Sequence, residues 1–161
     1  NKEDLVQRAV QKVFETVKGK LQAAHAKHEN AIDELFYVDD MVCDTVEKHN
    51  HSLQFQLRKY YPELFNALNE NRKELMIGKM IANISKGIKQ GLYRTNLNAE
   101  IIALLYYSRM VVLTGEEIDP FKNHDIKEVM QEVLIYHIRG IASPAGLKYL
   151  EDKMKQKHTH D

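Results

Sequence analysis

The sequence lacks a pair of cysteines for a disulfide bond, an apolar segment long enough to span a membrane, and a recognisable export signal. Its 161 residues include one cysteine, Cys43, so no intramolecular disulfide can form, and a chain of this length can bury a sufficient core without one. No segment resembles a signal peptide, and the most apolar run, 101–113, is too short to span a bilayer and is broken by Ser108 and Arg109. We therefore expect a reducing, cytoplasmic compartment and no membrane partner.

An excess of charge of either sign is also absent. Lys and Arg together number 23, and Asp and Glu together number 23, so the formal net charge is zero. A chain with this balance has no net electrostatic attraction for a phosphate backbone or an anionic membrane. The composition alone does not favour DNA binding by these residues.

Strand-like alternation, internal repeats and low-complexity segments are missing too, whereas helical periodicity with turn signals at each joint runs through the chain. This pattern predicts one all-α domain over 1–161, a bundle of about six to seven helices. The predicted helices cover 1–24, 29–47, 52–60, 62–90, 99–113, 126–139 and a last short segment that begins at Ser143-Pro144. A polar interval at 69–74 leads us to expect a bend or break in the fourth helix.

One tight corner between two long helices organises the sequence. The segment IANISKGIKQGLYRTNLNAEI, 81–101, contains a helix ending at Gly91, a short turn and a new helix start at Asn98. Glycine enters the left-handed region without a Cβ penalty, and an asparagine side chain can cap the next helix. Glu100 places a carboxylate in the positively polarised first turn. These residues predict a helix–turn–helix corner in the second half of the chain.

The helix after this corner is apolar on nearly all sides, so it must be covered on two of them. Two polar residues lie on otherwise apolar helices and need partners. Asn83 would cost about 1–3 kcal/mol as an unpaired buried amide. For Arg109 the ordinary solution is a carboxylate, within the chain or across a subunit interface.

Patterns that carry catalysis or metal binding are absent. The polar histidines, which lack further ligands at zinc spacing, are interpreted as solvated: His25, His28, His49, His51, His158 and His160. No Glu-x-x-His pair, Gly-x-Ser-x-Gly elbow or phosphate-binding glycine loop occurs. We expect no enzyme, cofactor or metal site. His137 lies in an apolar helix and is either a core or interface histidine or a ligand contact.

What remains is an internal cavity lined by aromatic and methionine side chains, although each of these residues could equally belong to ordinary core. The predicted ligand-pocket residues are Phe36, Phe55, Tyr60, Phe65, Met76, Met80, Asn83, Tyr106 and Met110. With so few polar groups, such a pocket favours a small, largely apolar ligand.

Two motifs resemble the TetR family of transcriptional regulators. The opening Asn-Lys-Glu-x-Leu at 1–5 resembles the end of the family's helix-turn-helix, and Lys-Gly-Ile-x-x-Gly-Leu-Tyr-Arg at 86–94 resembles its ligand-binding region. Beyond these motifs the chain matches the family in helix order and length. The resemblance implies that 1–24 is the connecting helix from an N-terminal DNA-binding domain that lies upstream of Asn1, so that DNA is bound only through that domain.

The resemblance also implies a homodimer and a mechanism. In the family the last two long helices of each subunit form a four-helix interface, which maps onto 99–113 and 126–139 here. The implied interface residues are Ile102, Leu105, Arg109, Val112, Val129, Val133, Tyr136 and His137. A small molecule in the pocket would shift the first helix and change the DNA affinity of the reading heads. A stand-alone helical interaction module without DNA binding is the alternative.

Overall fold

The computed structural model describes residues 2–47, 51–114, 121 and 123–158. In these ranges the chain forms seven α-helices and no strand, which confirms the predicted all-α bundle of six to seven helices. The helices are α1 Lys2–Lys27, α2 Ala31–Glu47, α3 His51–Tyr60, α4 Pro62–Lys89, α5 Ala99–Thr114, α6 Ile126–Ile141 and α7 Pro144–His158. Asn1, the predicted first capping residue, lies outside the described residues.

Short-range capping contacts set the helix starts. The Asn98 side chain accepts a hydrogen bond from the Ile101 amide at 3.1 Å at the start of α5, and the Ser143 hydroxyl accepts one from the Gly146 amide at 3.1 Å at the start of α7. Both satisfy amides that have no partner inside the helix. The predicted caps of these two helices are confirmed.

Helix α4 departs from expectation because it runs uninterrupted from Pro62 to Lys89. The break that the polar interval 69–74 led us to expect is absent, whereas the bend, the other expectation, stays a prediction. Most of these residues are exposed, and Glu70 and Lys73 form an ion pair at 3.3 Å one turn apart. Polar residues that point to solvent on consecutive turns continue a helix as readily as apolar ones.

The corner after α4 closes around Gly87 and Gly91. Gly91 has a φ of +70°, which confirms the predicted left-handed position. The Gly87 carbonyl accepts hydrogen bonds from the Leu92 amide at 2.9 Å and the Tyr93 amide at 3.1 Å. A Cβ atom on Gly87 would lie 2.1 Å from the ring of Tyr93, so only glycine allows the chain to fold back this closely.

The same corner is tied to the α6–α7 junction. The Leu92 carbonyl accepts a hydrogen bond from the Ser143 amide at 2.9 Å, and the Arg94 amide donates to the Ile141 carbonyl at 3.0 Å. Tyr93 and Ala142 thereby form an antiparallel bridge. These bonds join the two halves of the bundle at two places where the chain changes direction.

Helix α2 lies in the middle of the main core, between α4, α5, α6 and α7. The buried residues that it shares with them are Ile32, Leu35, Phe36, Met80, Ile84, Tyr106, Met130, Leu134, Ile138 and Leu150. A smaller cluster, Leu21, Ala24 and Val38, attaches α1 to α2. Leu21 and Ala24 are the buried residues of α1 among those described, so α1 is held to the bundle mainly through its C-terminal half.

Helix α5 packs chiefly on α4, and the described residues cover only one of its sides. The other side carries large apolar residues that are 47–60% exposed: Ile101, Leu104, Leu105, Val111 and Val112. Their spacing of three, one, six and one residues places them on one stripe about 120° wide. The predicted covering on two sides is therefore not supplied within the described part of a single chain.

Candidate functional site

A small cavity, about half open to solvent, lies between α1, α2, α4 and α5. Its lining comprises Leu21, Glu34, Leu35, Val38, Met76, Lys79, Met80, Asn83 and Tyr106. The volume that the centre of a water molecule can occupy inside it is about 20 Å³, which leaves room for about one water molecule. The lining from α4 recurs every three or four residues, so it forms one face of that helix. The apolar side chains of the lining come from α1, α2 and α4, and its polar groups come from α2, α4 and α5.

One end of the cavity is a compensated charge cluster around Glu34. This carboxylate is 4% exposed, accepts a hydrogen bond from Lys86 Nζ at 2.9 Å and lies 2.9 Å from His25 Nδ1. Lys86 also donates to the backbone oxygens of His25, at 3.3 Å, and of His28. These carbonyls end α1, where a cation is favourable. Lys86 therefore holds the C-terminal end of α1 against α4.

Asn83 continues this polar face of α4. Its Nδ2 donates to the Ala31 carbonyl at 2.9 Å, and its Oδ1 accepts a hydrogen bond from the Tyr93 hydroxyl at 3.1 Å. Two turns further on, Gln90 donates to the Glu29 carbonyl and accepts a hydrogen bond from the Ala31 amide at 3.0 Å. The expectation that Asn83 needs a partner is confirmed, and the partners fix the α1–α2 connection onto α4.

Tyr106 forms the α5 side of the cavity. It is 2% exposed, and within the described part of the chain no acceptor takes its hydroxyl proton, although the Arg109 guanidinium lies beside the hydroxyl. The Arg109 guanidinium lies over its ring, with Cζ 4.1 Å from the centroid, and the His137 ring meets it edge-on at 5.0 Å. Burial raises the pKa of Tyr106, against the opposing effect of the Arg109 charge, so the hydroxyl keeps its proton.

Arg109 finds its carboxylate within the chain. Its Nη2 donates to Asp39 Oδ1 at 2.7 Å, and the Asp39 side chain is 5% exposed. Its Nε and Nη1, and Nε2 of His137, are buried without a partner among the described residues. Burial, followed by the Arg109 charge, lowers the pKa of His137 to about 4. This histidine is therefore neutral near pH 7.

The structure distributes the nine predicted pocket residues over three environments. Met76, Met80, Asn83 and Tyr106 line the cavity. Phe36 and Met110 are buried in the main core, and Phe65 is half-buried on α4. Phe55 and Tyr60, on α3, are 57% and 64% exposed.

The eight predicted interface residues are likewise divided. Leu105, Val112 and Tyr136 are exposed, Tyr136 by 81%. The half-buried members are Ile102, Arg109, Val133 and His137, and Val129 is buried. Three of the eight are therefore exposed, two on the uncovered stripe of α5 and one on α6. Arg109 uses its charge on Asp39 within the same chain.

Two buried carboxylates of the site, Glu34 and Asp39, were missed by the sequence analysis. A signal existed for Asp39, because it follows Ile32 by seven residues and Leu35 by four and precedes Cys43 by four. That spacing places it on the apolar stripe of α2 rather than on the polar side. An acidic residue at such a position predicts a buried cationic partner.

No cluster of three or more histidine, cysteine or acidic side chains that could hold a metal ion occurs among the described residues. None of the helices in the described ranges combines the length and the apolar character that a membrane crossing requires. Comparisons of the chain with protein-family models, with curated proteins and with solved structures found no match. The resemblance carried by 1–5 and 86–94 remains a prediction.

Proposed function

We propose that this chain is the effector-sensing and dimerisation domain of a TetR-like, cytoplasmic transcriptional regulator that binds DNA through a helix-turn-helix domain preceding Asn1. The observation that carries the proposal is the position of the cavity. Its walls are shared between Leu21 of α1 and residues of α2, α4 and α5. A molecule that enters the cavity therefore contacts both the bundle and the helix that would lead to the DNA-binding domain.

Helix α1 is suited to transmit such an event. Lys86 holds its C-terminal end, Leu21 and Ala24 are buried against the bundle, and Leu5 and Val13 of its N-terminal half are 69% and 64% exposed. At 1.5 Å per residue the 26 residues of α1 extend about 39 Å, so a tilt of about 5° displaces the far end by about 3 Å. An effector produces this tilt only if its affinity differs between the two positions of α1.

The uncovered stripe of α5 supports dimerisation. It carries five large apolar side chains, and Tyr136 of α6 is also exposed. A continuous apolar surface on a helix that is apolar on nearly all sides is typical of a subunit interface. A second copy of the chain presents the same stripe, so α5 and α6 of two copies can cover one another in a symmetric contact.

Sedimentation equilibrium tests the dimer with a matched pair of variants. Leu105→Lys places a charge on the stripe of α5, and Leu5→Lys makes the same change at an exposed leucine of α1. We expect the unchanged domain and Leu5→Lys to be dimers and Leu105→Lys to be a monomer. A monomeric unchanged domain would instead favour the stand-alone interaction module, in which a different protein covers α5.

The DNA-binding part of the proposal is tested on the gene. We expect the coding sequence upstream of the Asn1 codon to specify about 45–50 residues that form three short helices, with a basic recognition helix leading into α1. The full-length protein should then retard DNA from its own promoter region in a mobility-shift assay. A coding sequence that begins near Asn1 would eliminate DNA binding as a function of this protein.

A further inference from the structure

We propose that the cavity binds a neutral, largely apolar molecule through one acceptor oxygen, which accepts a hydrogen bond from the Tyr106 hydroxyl. The inference rests on the proposed effector-sensing role and names the chemical class of the effector. Three observations carry it: the unpaired hydroxyl of Tyr106, the compensation of both neighbouring carboxylates, and the make-up of the cavity walls.

The Tyr106 hydroxyl differs from the other buried polar groups of the lining. Asn83 uses both its amide nitrogen and its oxygen, and each oxygen of Glu34 has a cationic or imidazole neighbour. Tyr106 is 2% exposed; the Arg109 guanidinium, which can only donate, lies beside its hydroxyl, and no acceptor for the hydroxyl proton occurs in the described part of the chain. Leaving a hydroxyl buried and unpaired is unfavourable. A ligand that accepts a hydrogen bond from it therefore gains more binding free energy than it would from a group that already has a partner.

The surroundings of Tyr106 hold its ring in place. The guanidinium of Arg109 covers the ring at 4.1 Å, and His137 meets its edge at 5.0 Å. Arg109 is itself fixed by its 2.7 Å bond to Asp39. The ring cannot turn away without breaking these contacts, so it is held beside the cavity; the hydroxyl has no accessible surface at present and meets a ligand only once the cavity has opened.

The charges on the lining favour a neutral ligand. Glu34 is paired with Lys86, and Asp39 is paired with Arg109, so neither buried carboxylate is left to neutralise a cationic ligand. An anion would bring a third negative charge into the same low-dielectric region. Lys79 is the lining cation for which the described residues supply no ion pair, and it is half-exposed. An organic acid held by Lys79 is therefore the competing class that an experiment must separate.

The walls indicate an apolar body of moderate length. Leu35, Val38, Met76 and Met80 supply most of the lining, and methionine side chains are unbranched and adapt to ligands of different shape. The present volume of about 20 Å³ has to increase to admit more than a water. Leu21 closes the cavity from α1, which has the fewest buried residues, among those described, of the four helices in its lining, so opening displaces α1 first.

The test compares three eight-carbon probes by isothermal titration calorimetry on the unchanged domain: octan-2-one, octanoate and octylammonium. We expect octan-2-one to bind saturably and at least tenfold more tightly than either ion. Tyr106→Phe should weaken octan-2-one about fivefold to tenfold, the effect of one hydrogen bond. Tyr107→Phe, the neighbouring tyrosine outside the lining, should leave its affinity unchanged. Circular dichroism should show that Tyr106→Phe folds, since the change removes an unpaired hydroxyl.

Each other outcome overturns the inference. Tighter binding of octanoate that is lost in Lys79→Met would assign the site to organic acids. Equal binding of octan-2-one by Tyr106→Phe would remove the hydroxyl from the site, and absence of binding by all three probes would mean that the cavity holds a water at most. If Tyr106→Phe does not fold, Met76→Phe, which fills the cavity, replaces it and should abolish octan-2-one binding. Retained binding there would also refute the inference.

These failures are distinguishable from a failure of the proposed function. Dimerisation and the coding sequence upstream of Asn1 are measured without any ligand. A dimer that binds its promoter region but not octan-2-one would keep the regulator and discard the neutral-effector class. A monomer without an upstream domain that still binds octan-2-one through Tyr106 would do the reverse.

Discussion

The close approach of Gly87 to Tyr93 yields a prediction with a built-in control. Gly87→Ala would place a Cβ atom 2.1 Å from Cδ2 and 2.3 Å from Cε2 of the Tyr93 ring. Gly78, nine residues earlier in α4, is exposed and has nothing within 4 Å of the same added atom. The same substitution in the same helix should therefore destabilise the domain at one position and stabilise it at the other.

The magnitude follows from how firmly Tyr93 is held. The ring would have to retreat by more than 1 Å, but it is 1% exposed and its hydroxyl donates to Asn83. We take the upper end of the overpacking cost, about 3 kcal/mol, for Gly87→Ala. The better helix propensity of alanine offsets about 1 kcal/mol of this, which leaves a net loss of about 2 kcal/mol. Gly78→Ala has only the propensity gain of up to about 1 kcal/mol.

Urea and thermal unfolding, followed by circular dichroism at 222 nm and at one fixed protein concentration, measure both values. For a chain of this size, Gly87→Ala should lower the melting temperature by about 4–8 °C and Gly78→Ala should raise it by up to about 4 °C. Fixed concentration matters because dimerisation adds to apparent stability. The packing argument for Tyr93 is refuted if both variants shift in the same direction or if Gly87→Ala is as stable as the unchanged domain.

Three further predictions concern buried polar groups. Asn83→Ala leaves the Ala31 carbonyl without its hydrogen bond. Urea unfolding should show a free energy of unfolding that is lower by about 1–3 kcal/mol for each buried group that loses its partner. The folded pKa of His137 is about 4, below the usual 6.5, so as the pH falls the unfolded chain binds the proton at a higher pH than the folded chain does. Stability should fall between pH 6.5 and pH 4 by up to about 1.4 kcal/mol per pH unit, and His137→Phe should flatten this slope; an unchanged slope would contradict the assignment. Burial, together with the hydrogen bond to Asp33, raises the pKa of Tyr149 from 10 to about 12. The stability from that bond is present below pH 10 and is lost as the pH rises towards 12, so Tyr149→Phe should be less sensitive to alkali than the unchanged domain.

Helix ends were predictable because their chemistry is local. Asn98 and Ser143 cap amides three residues away, and Gly91 adopts its left-handed conformation beside the turn that it forms. Contacts over such short distances depend little on how the helices dock. The expected break at 69–74 is absent because polar residues occur both in loops and on the solvent-facing surface of a helix, and local polarity does not distinguish the two.

The candidate site was predictable only in part because its contacts are distant in sequence. Asn83 could be recognised as a polar residue in need of a partner, but that partner, Ala31, is 52 residues away. Arg109 required a carboxylate, and Asp39 lies 70 residues earlier. Periodicity identifies one residue of such a pair as a polar residue in need of a partner. Which residue becomes its partner depends on how α2 packs against α4 and α5.

The sequence by itself determined an all-α bundle of about six to seven helices, their approximate bounds and the glycine corner, because periodicity and capping act over a few residues. Only the tertiary structure decided that Met76 and Met80 line a cavity while Phe55 and Tyr60 face solvent. An apolar residue has the same local preference in a cavity wall, in a core or on an exposed stripe. Which of these it occupies depends on the helix that packs against it, and that packing is set by the whole chain.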